Sequence, residues 1–265
     1  MERRNFLRAA LATSAVALSS EVQGQSTGSV SAHEYYQLRK YTFRSGPQGK
    51  LADDFFSGAL IPALNRLGFS PVGVFRVDFG PQTPTTYVLI PGTNLETLVN
   101  VDLLLAKDGT FLKVAEPFWN SSAKEPAFER IESTLLRAFE GWPKLTVPAA
   151  AAQNGKRIFQ LRTYESPSLF DHIRKVEMFH HGEFEFFRKA GCAAVFFGDA
   201  LVGPNLPKLT YMLTFPDMNA LNTGWDRFRN DPDWKKLSAD PRYSYEAIVS
   251  NIDNLVLNPA PYSQI

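Results

Sequence analysis

The sequence predicts an α+β fold made of two tandem strand–helix–strand–strand–helix–strand units that pack sheet to sheet as one barrel. Three observations predict it. The chain repeats itself: Tyr36-Gln37-Leu38-Arg39-Lys40-Tyr41 matches Phe159-Gln160-Leu161-Arg162-Thr163-Tyr164 at an offset of 123 residues. Each copy reads as the same order of elements. The strands carry large residues on both faces, so the face away from the helices must also be covered, and a second sheet can cover it.

The elements follow in chain order. Residues 34–43 and 157–165 alternate like strands. A helix follows in each copy. In the first it carries Leu51, Phe55, Leu60, Leu64 and Leu67, with Pro62 expected to interrupt or kink it. In the second, Ile173, Val176, His180, Phe184 and Phe187 fall at helical spacing. Gly68 and Gly191 stand where each helix should close with a left-handed residue. Strand pairs are expected at 72–79 with 84–90 and at 193–202 with 208–215, the latter joined through Gly203-Pro204-Asn205. Tyr87-Val88-Leu89 aligns with Tyr211-Met212-Leu213 at 124, and Leu135-Leu136 with Leu255-Val256 at 120. A second helix covers 94–106 and 217–229, and a last strand lies near 131–139 and 248–257. This order is ferredoxin-like βαββαβ. Along 158–164, the Phe159 and Leu161 face is assigned to the helices, and the Gln160, Arg162 and Tyr164 face to the space between the sheets.

The domains are then 33–145 and 156–262, with a linker at 146–155 and an export signal at 1–24. Arg3-Arg4, with Phe6-Leu7 behind them, precede a short Ala-rich apolar run that ends at Leu18. That run is too short to span a membrane, which takes about 20 apolar residues. The pair of arginines reads as a twin-arginine signal, and the protein as exported to the periplasm or beyond. A general secretory signal with two incidental arginines is the other reading. The whole chain has 265 residues, is 44% hydrophobic and 21% charged, and carries a net charge of +1. This composition excludes disorder for the bulk of the chain and argues against a nucleic-acid binder. A single cysteine, Cys192, excludes an intrachain disulfide framework.

Candidate site residues are Arg162, Tyr164, His180, Tyr211, Trp225, Arg227 and Trp234, all in the second copy. Arg39-x-Tyr41 and Arg162-x-Tyr164 each place a guanidinium and a phenol on one strand face, a pair suited to a carboxylate or enolate. The structural alternative is an arginine held by an acid across the barrel. Trp225, Arg227, Phe228 and Trp234 form an aromatic–basic cluster, either the wall of a flat-ligand site or core plugs at the helix–sheet junction. Asp231 and Pro232 suit the N-cap and first turn of a new helix. His181 lies one turn from both Glu177 and Glu185. A single helix gives such a row poor metal geometry, so no metal is expected there, and nothing signals a haem site that His172 or His180 would ligate. Cys192 is expected to be an inert buried thiol.

Gln160-Leu161-Arg162-Thr163-Tyr164, the Tyr211-Met212-Leu213 strand leading to Phe215, and the run from Trp225 to Trp234 resemble the NIPSNAP family, within the dimeric α+β barrel superfamily. The likeness is strong in the second copy and degraded in the first, where Asp108-Gly109-Thr110-Phe111 replaces Asp231-Pro232-Asp233-Trp234. The resemblance implies the fold and leaves the chemistry open. The first functional reading is an exported binding or interaction module without catalysis. The alternative is a small-molecule enzyme or carrier, such as a cofactor-free oxygenase, with its pocket in the second domain. Either reading implies an unidentified small ligand or protein partner, with no cofactor, no nucleic acid and no stable membrane insertion after signal removal. A homodimer stays open. A closed, partly polar pocket at Arg162 and Tyr164 would favour the second reading, and a filled barrel the first.

Overall fold

The computed structural model describes residues 33–44, 46–77, 79–149 and 156–265. The segment 1–24 expected as an export signal and residues 150–155 of the linker lie outside them. Eight antiparallel strands close one barrel in the order β1-β3-β2-β8-β5-β7-β6-β4. The first half supplies β1 (Tyr35–Thr42), β2 (Gly73–Val77), β3 (Thr85–Gly92) and β4 (Arg130–Ala138). The second supplies β5 (Ile158–Glu165), β6 (Ala193–Val202), β7 (Lys208–Phe215) and β8 (Asn251–Pro259). The halves meet edge to edge, β2 with β8 and β4 with β6. At the β4–β6 seam a Cβ on Gly198 would lie 2.9 Å from Leu136 Cβ, so only glycine allows this approach.

Two strand alignments expected from the sequence are corrected by the register. Arg39 faces Val88 and Arg162 faces Tyr211, so β3 matches β7 at 123, not 124. Arg39 faces Ser133 and Arg162 faces Asn254, so β4 matches β8 at 121, not 120. A one-residue slip turns a strand over. Tyr87 accordingly points into the barrel and Tyr211 points out at the helices.

The faces of the sheet are also the reverse of the expectation. Phe159 and Leu161 lie inside the barrel with Tyr36, Leu38, Phe196, Met212 and Leu257. Gln160, Arg162 and Tyr164 face the helices, where Trp225 meets both Gln160 and Arg162. The middle of a closed barrel is shut off from water, so apolar side chains, aromatic and aliphatic, fill it. The helix layer has an open rim, and the polar side chains go there. Residues 260–265 cover one end of the barrel: Ala260 and Gln264 bond the backbone of β2 and the loop before it, and the Ile265 side chain is fully buried.

The long helix of each half has the same interruption. In the first, α1 (Gly46–Phe55) passes through a π-helical turn, Phe56–Leu60, into α2 (Ile61–Arg66). The Ile61 N–H bonds the Phe56 carbonyl, and Pro62 sits in the first turn of α2 without breaking the helix. In the second, α6 (Leu169–Met178) passes through Phe179–Glu183 into α7 (Phe184–Ala190). Gly182 has φ 140° inside that turn. Gly68 and Gly191 close these helices at φ 85° and 80°. The second helical layer is α3 (Leu95–Val99), α4 (Val101–Leu105) and α5 (Gly109–Trp119) in the first half. In the second it is α8 (Met218–Asn230), α9 (Pro232–Ser238) and α10 (Tyr245–Ile248). Asp108 and Asp231 cap α5 and α9 through their side chains. Among the described residues no helix is long and apolar enough to cross a membrane.

Candidate functional site

A cleft of about 470 Å³ lies between the second half's sheet and its helices. Arg162 forms its floor, flanked across the strands by Tyr211 on β7 and Asn254 on β8. Trp225 and Phe228 from α8, Phe187 from α7, Glu183 from the π turn, and Trp234 and Tyr245 complete the wall. Phe187 stacks on Phe228 at 4.6 Å, and Phe228 meets Trp234 at the same separation.

The floor is ordered by hydrogen bonds. Trp225 Nε1 donates to Gln160 Oε1 at 2.6 Å, and Gln160 Nε2 donates to Asn254 Oδ1 at 2.8 Å. Arg162 Nη2 donates to the Tyr164 hydroxyl at 2.8 Å, and the Tyr245 hydroxyl donates to it at 3.2 Å. A phenol oxygen accepts two such bonds. The Tyr164 and Tyr211 hydroxyls lie 3.4 Å apart, where either can donate to the other. Burial, then the neighbouring Tyr164, holds the Tyr211 phenol well above its ordinary pKa, so it stays a donor.

Arg162 keeps its charge without an acid. The Arg162 guanidinium carbon lies 4.5 Å from the Trp225 ring centre, and Nε is buried without a hydrogen-bond partner. Burial lowers its pKa; the phenols of Tyr211, Tyr164 and Tyr245 oppose this and prevail. The Arg162 charge acts on Glu183, yet that carboxylate is held by Lys175 at 2.7 Å, and both members of the pair are buried. Burial raises the Glu183 pKa, against the pull of Lys175 and Arg162.

The first half shows what the same positions do when the space is filled. Arg39, at the place of Arg162, meets Asp102 at 2.9 Å, and Asp102 stands 123 residues before Trp225. Ala52 and Leu60 stand at the places of Lys175 and Glu183. Phe55 stacks on Phe118 at 4.1 Å, and Phe56 and Phe111 close around them.

The structure brings together five of the seven residues singled out from the sequence: Arg162, Tyr164, Tyr211, Trp225 and Trp234. It separates the other two. His180 is exposed, bonds the Val176 carbonyl through Nδ1 at 2.9 Å and accepts the Gly141 N–H at Nε2. The buried face of the helix runs through His172, Lys175, Phe179 and Glu183, which leaves His180 off it. Ile173, assigned to the same buried face, is 61% exposed for its own part. Arg227 is exposed on the far side of α8, where its charge acts on Cys192. At 100° per residue it cannot share a face with Trp225, whereas Arg229 does and lines the cleft. Gln160, Lys175, Glu183, Tyr245 and Asn254 join the site. Gln160 was readable as the i−2 neighbour of Arg162; Tyr245 follows an irregular stretch without periodicity.

The remaining candidates are engaged elsewhere. His181 bonds the Tyr243 hydroxyl at 2.6 Å, and Glu185 pairs with Arg188. His172 meets Asp199 at 2.6 Å. Among the described residues no group of three or more His, Cys, Asp or Glu is placed to hold a metal. Burial pushes the Cys192 thiol up to about 12, with the Arg227 charge opposing.

No curated protein matches the sequence. Among solved structures, the chain is similar to a candidate monooxygenase of Lactobacillus acidophilus NCFM: TM-score 0.56, 11% identity, 86% of this chain and 94% of that one. A candidate monooxygenase of Fusobacterium nucleatum gives 0.52 and 8%, covering 86% and 93%. An uncharacterised NIPSNAP-like domain protein of Burkholderia xenovorans gives 0.35 and 13%, covering 40% and 86%. At these identities the first two likenesses show the α+β barrel fold alone. The NIPSNAP family matches residues 159–264, a span that begins three residues before Arg162 and holds every wall of the cleft. Residues 159–264 are thus similar to NIPSNAP domains.

Proposed function

We propose that this NIPSNAP-like domain binds a small planar organic anion, with its charge on Arg162 and Tyr211 and its flat body against Trp225 and Phe187. The observation that carries the reading is the acid-free Arg162, set against Arg39, which Asp102 neutralises in the first half. The cleft volume of about 470 Å³ is that of small-molecule sites, and favours a carrier or enzyme over a pure interaction module. The barrel interior is packed and offers the ligand no room at its centre. The first half is read as a second, degraded NIPSNAP domain that serves as scaffold. Since one chain closes the barrel, a homodimer would have to use another face.

A thermal-shift screen with small aromatic carboxylates tests the reading. A hit should raise the melting temperature of wild type and not of Arg162→Met. Without ligand, Arg162→Met should lose only about 1–2 kcal/mol, from the cation–π contact and one hydrogen bond. A loss of roughly 3–5 kcal/mol, as for a broken buried ion pair, would make Arg162 structural and remove the anion site.

The protein is also read as exported by the twin-arginine route. Arg3→Lys with Arg4→Lys should hold the precursor in the cytoplasm, and normal export of that variant would overturn this part.

A further inference from the structure

The barrel interior is graded from one end to the other. Beyond the apolar layer of Leu38, Leu161 and Leu255, its lining turns polar with Thr134, Thr163 and Thr210. There it opens into a cavity of about 220 Å³, on the opposite face of β5 from Arg162. Lys208, the first residue of β7, is only 8% exposed and lines this cavity beside Glu165, its cross-strand neighbour.

A buried ammonium is ordinarily held by a carboxylate, as Lys175 is by Glu183. Lys208 is not. The charges of Glu165, Asp253 and Glu132 act on it, yet among the described residues none makes an ion pair or side-chain hydrogen bond with its amine. Lys40 and the Tyr87 phenol are the other titratable groups of the cavity. Burial lowers the Lys208 pKa, with the three carboxylates opposing, so its neutral, nucleophilic form is more accessible than that of a surface lysine.

We propose that the barrel mouth is a second, covalent site, where the Lys208 amine condenses reversibly with a small polar aldehyde or ketone. The Nζ lone pair attacks the carbonyl carbon, and the C=O π pair moves to oxygen, which takes a proton. The carbinolamine then loses water: the C–O bond breaks, nitrogen gives up its second proton, and a C=N bond forms. No oxidant or reductant is needed. The flanking carboxylates carry the protons, and the threonine hydroxyls and Asn205 offer hydrogen bonds to the carbonyl compound's polar groups. The cavity volume limits the compound to a few heavy atoms.

Borohydride trapping on the full chain tests this. The protein is incubated near neutral pH with glycolaldehyde and cyanoborohydride, and the reduced adducts are mapped by peptide mass spectrometry. Lys208 should be alkylated about tenfold or more faster than the exposed Lys113 and Lys236, as a desolvated amine reacts ahead of a hydrated ammonium. Thr210→Leu, which fills the cavity, should slow labelling at Lys208 and leave the exposed lysines unchanged. Arg162→Met, on the other face of the sheet, should change neither, so loss of the cleft reading leaves this one standing. Labelling of Lys208 no faster than Lys113, or unaltered by Thr210→Leu, would overturn the proposal.

Discussion

Lys175 and Glu183 show how much one buried pair can cost and hold. Both are shut away from water, 2.7 Å apart, where the first half has Ala52 and Leu60. Removing one partner leaves the other charge stranded. Lys175→Met should therefore lose roughly 3–5 kcal/mol. The sign of its pH dependence follows from Glu183, whose folded pKa is raised by burial. A raised carboxyl contributes most to stability below its unfolded pKa, about 4.3, and that contribution is lost as pH rises through the folded value. The Lys175→Met deficit should thus shrink as the pH is lowered from 8 towards 5 in chemical denaturation. Lys175→Ala with Glu183→Leu, which copies the first half, should recover most of the loss. A double variant as unstable as the single one would show that the pair does not act as a unit. At this scale the sequence was partly legible. The i, i+2 spacing put Arg162 and Tyr164 on one face, but nothing local distinguishes an arginine with an acid from one without. That difference lies at position 225, where a tryptophan stands in place of Asp102's carboxylate.

At the scale of elements, strands and caps were readable because their signals are local: alternation, Asp-Pro at a helix start, Gly at a helix end. The π turn was not. A 3.6-residue pattern read through Ile173, Val176 and His180 places His180 with the buried face, whereas that face runs through His172, Lys175 and Phe179, and the π turn leaves no mark in composition. The faces of β5 were misassigned because both carry large residues, and only closure of the barrel decides which is dry. The turn itself depends on Gly182. At φ 140° a side chain is strained, and a Cβ would lie 2.7 Å from Phe186 Cζ. Gly182→Ala should cost about 1–3 kcal/mol. Because the turn aims Glu183 at Lys175, the same variant should weaken the carboxylate screen's hits. An unchanged melting temperature and unchanged binding would show that the turn tolerates an ordinary helix.

At the scale of the whole molecule, neither half covers its own sheet. Expressed alone, residues 156–265 would expose the β6 and β8 edges and the apolar face of Phe159, Leu161, Phe196 and Met212. Buried apolar surface is worth about 25 cal/mol per Å², so such a face does not stay in water. Light scattering after size exclusion should find a dimer or aggregates, and a cooperatively folded monomer would contradict the shared core.

Joining two such units in one chain has a consequence for how the protein can change. In a barrel assembled from two identical chains, every substitution appears twice, and a residue that builds a pocket on one side must build it on the other. Here Asp102 and Trp225 are separate codons. One half neutralises its arginine and is filled with phenylalanine, while the other has an open, charged floor. Covalent linkage releases the fold from its own symmetry, and lets one side be filled while the other stays open.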